Sequence, residues 1–453
     1  MSNQASLQFG NTRLDRLHLA LESGALLQAG KMLNALHPGE IAHLLESLPM
    51  AQREIIWELV NEDNGGEVLT LLADEVRDDL ISKMDMTELL AATEGLDTDD
   101  LADLIQELPR TITQEILDSL DQQHRERLEA ILSYPEDTAG GLMNPDTITV
   151  RPEVTLDVVM RYLRHLKDKI PPQTDNLMVV NRNGKYLGVL PLTVLVTHDL
   201  DDTVAEVMSL DARAIPANWD DGRVANRFEQ HDLISAAVVD DEGKLIGRIT
   251  IDDVVDVIRE EGEHQFMGQA GLSEDEDMFA PVLVSTRRRA LWLGINLVTA
   301  LLASWVIGQF EATIEKVVAL AVLMPIVASM GGIAGSQTLT LTIRGIALGQ
   351  LSRKNTRWLI LKELAVGSLN SVIWACVVAV IAGFWFNDIN IGLLIATAMC
   401  INLILASLTG TVLPMALDKL GIDPALAGSV LLTTVTDIVG FLSFLGLATL
   451  FLI

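Results

Sequence analysis

The last 29 residues, 425–453, read ALAGSVLLTTVTDIVGFLSFLGLATLFLI and are apolar except for hydroxyls and one charge, Asp437. As a helix this stretch runs about 43 Å, more than the roughly 30 Å hydrocarbon core of a bilayer. A carboxylate at the middle of such a span costs about 2.5–3.5 kcal/mol on insertion scales, so it is expected to face water, a cation or a partner helix rather than lipid. Thr433, Thr434 and Thr436 stand beside it, and the stretch holds no basic residue to neutralise it. Asp437 is therefore expected on an ion path. The alternative is a protonated carboxyl hydrogen-bonded inside a helix bundle.

Four further apolar runs precede it, at about 290–307, 317–343, 358–386 and 391–417. Basic residues set the orientation of such spans. Arg287, Arg288 and Arg289 stand before the first, and Arg344, Arg353, Lys354, Arg357 and Lys362 lie between the second and third. The connection between the first and second has only Lys316, and that between the third and fourth has no basic residue. The Arg-rich ends are expected in the cytosol, which puts the N-terminus inside, the C-terminus outside and the chain in the cytoplasmic (inner) membrane. The opening residues, MSNQASLQFGNTRLDRL, have no apolar core and are not expected to be a signal peptide. Cys376 and Cys400 both fall in apolar runs, so neither a disulfide framework nor a cysteine-based zinc site is expected.

Charge is unevenly spread along the 453 residues: of 62 acidic and 32 basic residues, 55 and 22 precede residue 287. Phosphate binding needs the opposite sign, so nucleic acid is excluded as a partner. A region this acidic either repels itself or binds cations.

Residues 1–134 are rich in Leu and Ala with helical periodicity. LHPGEIAHLLESLP (36–49) aligns with LDTDDLADLIQELP (96–109), each an amphipathic helix closed by Pro49 or Pro109. Thr98 is a candidate N-cap, with Asp99 and Asp100 complementing the helix dipole. Stacked short helices in a superhelix follow. After the turn-rich junction YPEDTAGGLM (134–143), MVVNRNGKYLGVLPLTVLV (178–196) aligns without gaps onto AVVDDEGKLIGRITIDDVV (237–255). Each copy is a strand, a turn at Gly184 or Gly243, a second strand and a helix start. The duplication resembles a tandem pair of cystathionine-β-synthase (CBS) domains. That resemblance admits ATP at the pair, through Thr250 and Asp253 of the second copy, whereas the first has Pro191 and Val194 there. In the stretch 260–286, Ser273 and Glu276 have capping-box spacing for a connecting helix.

The second apolar run contains MPIVASMGGIAGSQTLTLTIRG, in which Pro325 is expected to kink the helix and Gly331, Gly332 and Gly335 give a face of small residues. Asn402, Thr409, Gly410 and Pro414 make a polar face on the fourth. The span-2 pattern from Pro325 to Gln337, the DPA at Asp423 with T-x-x-x-D ending at Asp437, the YPEDTAGGLM junction and the CBS pair together resemble the MgtE family of magnesium channels. The resemblance covers essentially the whole chain. It implies a multi-domain fold: an all-α superhelical N-domain (1–134), an α/β tandem CBS pair (135–259), a connecting plug helix (260–286) and an α-helical membrane domain with five transmembrane helices (287–453).

It further implies a homodimer in a lipid bilayer that imports Mg²⁺, with Mn²⁺, Co²⁺ and Ca²⁺ as further candidate cations, and no enzymatic activity. Asp437 becomes the pore carboxylate, and Asp423 and Glu315 further ligand positions at the two membrane faces. Glu67, Asp99, Asp103, Asp220, Glu229, Asp232, Asp253, Asp256 and Glu261 become regulatory metal positions, at which cytosolic Mg²⁺ closes the pore. Oxygen ligands without Cys or His clusters suit a hard cation. The chain departs from the family pattern at Ile333 and Ser336, and at Gly222, His264 and Gln265, which implies an altered pore lining and a weaker sensor. Two other readings stand beside this one: a secondary transporter using Asp437 as a proton relay, and a nucleotide sensor anchored in the membrane.

Overall fold

The computed structural model describes residues 25–452, apart from 107, 172, 274, 275 and 353. The first 24 residues of the expected helical domain, and Arg353, thus lie outside the described residues. The chain divides into two units, residues 1–259 with 275–280, and residues 260–274 with 281–453.

Among the described residues the first unit opens with nine short helices: α1 (Leu26–Leu33), α2 (Pro38–Glu46), α3 (Met50–Trp57), α4 (Glu62–Thr70), α5 (Asp74–Ile81), α6 (Met86–Thr93), α7 (Thr98–Gln106), α8 (Arg110–Ser119) and α9 (Gln122–Ile131). The repeat recognised in the sequence corresponds to α2 and α7. Pro49 and Pro109 end one helix and begin the next, each in extended conformation at an N-cap, where a missing N–H is harmless. Thr98 differs from expectation. It is the first helical residue, and its hydroxyl donates to Asp146 Oδ2 at 2.9 Å instead of capping the helix.

The strands follow as two equivalent sheets. β1 (Thr149–Val150) pairs parallel to β2 (Asn176–Val180), which pairs antiparallel to β3 (Tyr186–Pro191); α10 (Leu156–Leu166) joins β1 to β2. α11 (Leu192–Thr197) and α12 (Val204–Val207) lead to the second copy. There β4 (Ile215–Pro216), α13 (Asp221–His231), β5 (Ser235–Val239) and β6 (Leu245–Thr250) repeat the order and register, down to a bulge at the last pair of β2 and of β5. Gly184 and Gly243 take φ of +77° and +78°, the left-handed conformation their turns require. The two turns pair with each other, Tyr186 N donating to Gly243 O and Leu245 N to Gly184 O, both at 3.0 Å.

One apolar core runs from α1–α9 into the second copy, through Ile215, Val224, Phe228, Val238, Ile249 and Val254, while the first copy keeps a separate core around Leu156, Val179 and Leu190. The helical region is therefore seated on the second copy. Residues 276–280 also belong to this unit. Arg53, 1% exposed, holds Asp277 in a two-pronged ion pair, with Nη1 to Oδ2 at 2.6 Å and Nη2 to Oδ1 at 2.7 Å, and donates through Nε to Leu45 O at 2.8 Å.

α14 (Ile251–Gly268) crosses the expected boundary at 259/260 as one uninterrupted helix. Among the described residues the next helix, α15 (Val282–Gly308), starts after Pro281 and takes in Arg287–Arg289. The capping-box spacing at Ser273 and Glu276 therefore did not mark a helix start, because Pro281, with φ preset for a helix entry, supplies it instead.

In the second unit α15 is followed by α16 (Glu311–Lys316), α17 (Ala319–Ala347), α18 (Thr356–Phe386), α19 (Ile389–Lys419) and α20 (Pro424–Phe451). Five of these, α15 and α17–α20, are long and apolar enough to cross a membrane. α17 runs unbroken through Pro325. α19 is the hub, with over half of its most apolar window buried, and large apolar side chains such as Trp305, Phe384 and Leu442 stay exposed on the outer helices. Such faces match hydrocarbon rather than water.

Candidate metal centres

On α20, Thr433 and Asp437 lie one turn apart and point into a groove whose other wall is α17. Residues Ala328, Gly332, Ser336 and Thr340 recur every four positions along that wall, with Ser329, Ile333 and Gln337 beside them, so a single face of α17 is presented. The cavity measures about 710 Å³, and Asp437 is its one charged residue. A fully hydrated Mg²⁺ with six waters of about 30 Å³ each fits within it. Hydroxyl and amide groups line the groove, and such groups accept from and donate to coordinated water without stripping it.

Asp423 caps the start of α20, accepting from Ala425 N at 2.8 Å and Leu426 N at 3.2 Å. His264 Nε2, from the end of α14, lies 3.0 Å from Asp423 Oδ2. Gln269 accepts from the Thr340 hydroxyl at 3.2 Å, so the tail of α14 and the residues after it lie across the ends of both groove helices. Glu315 is exposed on α16, whose Thr313 meets Thr449 near the far end of α20, hydroxyl to hydroxyl at 2.8 Å. Asp423 and Asp437 thus stand at the start and the middle of α20, and Glu315 is on α16, which packs near the far end of α20. Only Asp437 lies in the groove.

The second centre lies in the first unit, where α7 faces the start of α14. Carboxylate oxygens of Asp97, Asp99 and Asp100 approach within 4.8 Å of one another. Asn144 Nδ2 donates to Asp99 Oδ1 at 2.9 Å, and Thr250 N donates to Asp253 Oδ2 at 3.1 Å. Burial, followed by the charge of Asp99, pushes Asp103 up to about 8, with Glu136, Asp100 and Asp253 adding to it. Burial, followed by Asp99 and Asp252, likewise pushes Asp253 up to about 8. Asp100 is pushed up to about 7 by burial, then by Asp99, Asp97, Asp252 and Glu67, and Asp99 to about 6 by burial and then Asp97. Ionised together, these carboxylates repel one another, and a cation among them offsets that repulsion. The donor set is oxygen throughout, which fits Mg²⁺ or Ca²⁺.

Of the sequence-derived positions, Asp99, Asp103 and Asp253 come together, with exposed Glu67 near enough to act on Asp100. Asp256 is half-buried on α14, 3.7 Å from the Arg259 guanidinium. Glu261 accepts from Gln265 Nε2 at 2.6 Å. Asp220 caps α13, accepting from Arg223 N at 3.2 Å, Asp232 ends that helix with φ +49°, and Glu229 is exposed on it. Among the described residues no hydrogen bond or ion pair joins these three to the α7 carboxylates. Asp97, Asp100, Asp252 and Glu136 were not among the expected ligands. Their signal was the acidic clustering itself, DTDD at 97–100 and DD at 252–253. The Thr250 hydroxyl is bonded to Asp252 and Asp253. The neighbouring cleft of about 600 Å³ carries Asp175, Asp252 and Asp256, a lining that repels a triphosphate.

The chain is similar to known proteins along nearly its whole length. The MgtE family model, described as a divalent cation transporter, matches residues 324–447; the MgtE intracellular N domain matches 36–137, and the CBS domain 139–200 and 204–260. The chain is 31% identical over 444 residues to magnesium transporter MgtE of Thermus thermophilus, covering 96% of this chain and 98% of that one. It is 26% identical over 437 residues to magnesium transporter MgtE of Bacillus subtilis, covering 96% and 97%. A crystal structure of the cytosolic domain of the Mg²⁺ channel MgtE in complex with ATP aligns with a TM-score of 0.50 at 32% identity, covering 54% of this chain and 99% of that one.

Proposed function

The chain belongs to the MgtE family, and on that premise we propose that it is a membrane channel importing Mg²⁺ past Asp437, closed by cytosolic Mg²⁺ held between α7 and α14. The observation that carries the reading is the groove of about 710 Å³ between two long apolar helices, with Asp437 as its lone charge. Two of the five long helices line it, so an enclosed path needs a further wall. A second copy related by a two-fold axis supplies an identical groove and a second Asp437, which supports a homodimer. Asp437 attracts the cation through its water shell, and the hydroxyls of Ser329, Ser336 and Thr433 bond to that shell. Other hard divalent cations, such as Mn²⁺, Co²⁺ and Ca²⁺, compete by the same chemistry. The acidic first unit and the Arg-rich helix ends both fit a cytosolic N-terminus and an external C-terminus in the cytoplasmic membrane.

Gating follows from the acidic cluster. Asp99, Asp100, Asp103 and Asp253 repel one another when ionised, and a bound divalent cation relieves that repulsion, favouring the compact arrangement of α7 on α14. Asp253 lies in the first turn of α14 and His264 in its last turns, so the helix itself links the acidic cluster to the cap of α20. A cation can shift the balance only by binding the closed form more tightly, and a coupling of about 1–3 kcal/mol per site is ordinary. The test is Mg²⁺ flux into liposomes carrying the full chain. Flux is expected for the unaltered protein and expected to fall to background in Asp437→Ala, with insertion and dimerisation intact. Normal flux in that variant overturns the pore assignment.

A further inference from the structure

We propose that Asn402 is a positioning residue that sets the width of the groove at Asp437, and so the choice among divalent cations. Asn402 is on α19, which does not line the groove, and is 1% exposed. Its Nδ2 donates to Val327 O on α17 at 2.9 Å. Its amide fills the space left by two glycines on the two groove helices. A Cβ on Gly331 of α17 would lie 2.2 Å from Nδ2, and one on Gly440 of α20 would lie 2.8 Å from it. Val327 and Gly331 each adjoin a groove-lining neighbour, Ala328 and Gly332, and Gly440 is three residues past Asp437. Asn402 is thus wedged directly behind the wall that Asp437 faces, touching both helices that form it.

Packing alone does not account for an amide here. Asn402 Oδ1 is buried and has no partner among the described residues. A buried acceptor without a donor is unfavourable, and an apolar side chain of similar volume would pack without that penalty. The amide does what an apolar group does not: it fixes one height of α17 against α19 through a directional bond. Hydrated divalent cations differ in size and in how tightly they hold water, so a groove of fixed width separates them while a yielding one does not.

The inference rests on Asp437 being the pore carboxylate, and the experiment separates the two. Flux of Mg²⁺ and of Ca²⁺ is measured in liposomes with the full chain, its Asp437→Ala form, and N402A, G331A and G331A/N402A. Loss of the Asp437 assignment shows as undiminished flux in the first variant, whatever Asn402 does. Asn402→Ala is expected to conduct Mg²⁺ but to discriminate against Ca²⁺ at least about fivefold less, as loss of one hydrogen bond predicts. Gly331→Ala is expected to lose about tenfold or more of its Mg²⁺ flux, and G331A/N402A to recover most of it with the relaxed discrimination of N402A. Unchanged discrimination in N402A overturns the proposal, as does a double variant no better than G331A. Should N402A fail to insert, N402L, which keeps the volume and removes the donor, carries the same comparison of Mg²⁺ against Ca²⁺ flux.

Discussion

Asp437 and Asp103 meet burial by different routes. Asp437 is alone among hydroxyls and small residues in a groove open to a hydrated ion, whereas Asp103 is crowded by Asp99, Glu136, Asp100 and Asp253. Removing charge therefore lowers flux by different physical routes at the two sites. Asp437→Asn keeps the volume and loses the attraction, so Mg²⁺ flux is expected to fall at least about a hundredfold, measured by an entrapped indicator dye. Asp103→Asn and Asp253→Asn relieve repulsion that a bound cation otherwise relieves. Each is expected to reduce flux at low Mg²⁺ and to need about five- to tenfold less Mg²⁺ for closure. Flux that rises instead would overturn the repulsion account.

At the scale of elements, the coupling proposed between sensing and conduction runs along α14 and the stretch after it. The Arg53–Asp277 fork anchors that stretch to the helical region with side chains only 1% and 5% exposed. Leaving one buried charge without its partner costs about 3–5 kcal/mol, so Asp277→Ala is expected to destabilise the first unit by that order in denaturant unfolding. The double replacement R53M/D277L is expected to recover most of it; additive losses would show that the two residues act separately. The element boundaries show what the sequence carried. Pro49 and Pro109 marked helix changes correctly, because a proline without an N–H constrains the chain regardless of its surroundings. Ser273 and Glu276 misled, because capping-box spacing is a local signal and the next described helix starts only after Pro281. Thr98 misled for a related reason: Asp146, 48 residues away, takes its hydroxyl.

Over the whole molecule, the acidity of residues 1–286 becomes a pH dependence. Asp103 and Asp253 are pushed up to about 8, so the compact arrangement favours their protonated forms. The unfolded chain loses those protons near pH 4, so stability without divalent cations is expected to fall as pH rises from about 4 to about 8. Mg²⁺ displaces the same protons, so it is expected to flatten that fall and to bind more tightly at pH 8 than at pH 6. Thermal unfolding of the first unit in the full chain, with Mg²⁺ or a chelator, checks both; a pH-independent response to Mg²⁺ would remove the carboxylates from the sensor.

The sequence by itself determined the five apolar helices, the duplicated strand pairs and the isolation of Asp437, because periodicity, turn glycines and the exclusion of charge from hydrocarbon act along the chain. Only the tertiary structure decided which carboxylates meet. Asp99, Asp103 and Asp253 gather while Asp220, Glu229 and Asp232 do not, and Asn402 stands behind the groove. Such juxtapositions depend on how helices distant in the chain pack, which local spacing does not encode.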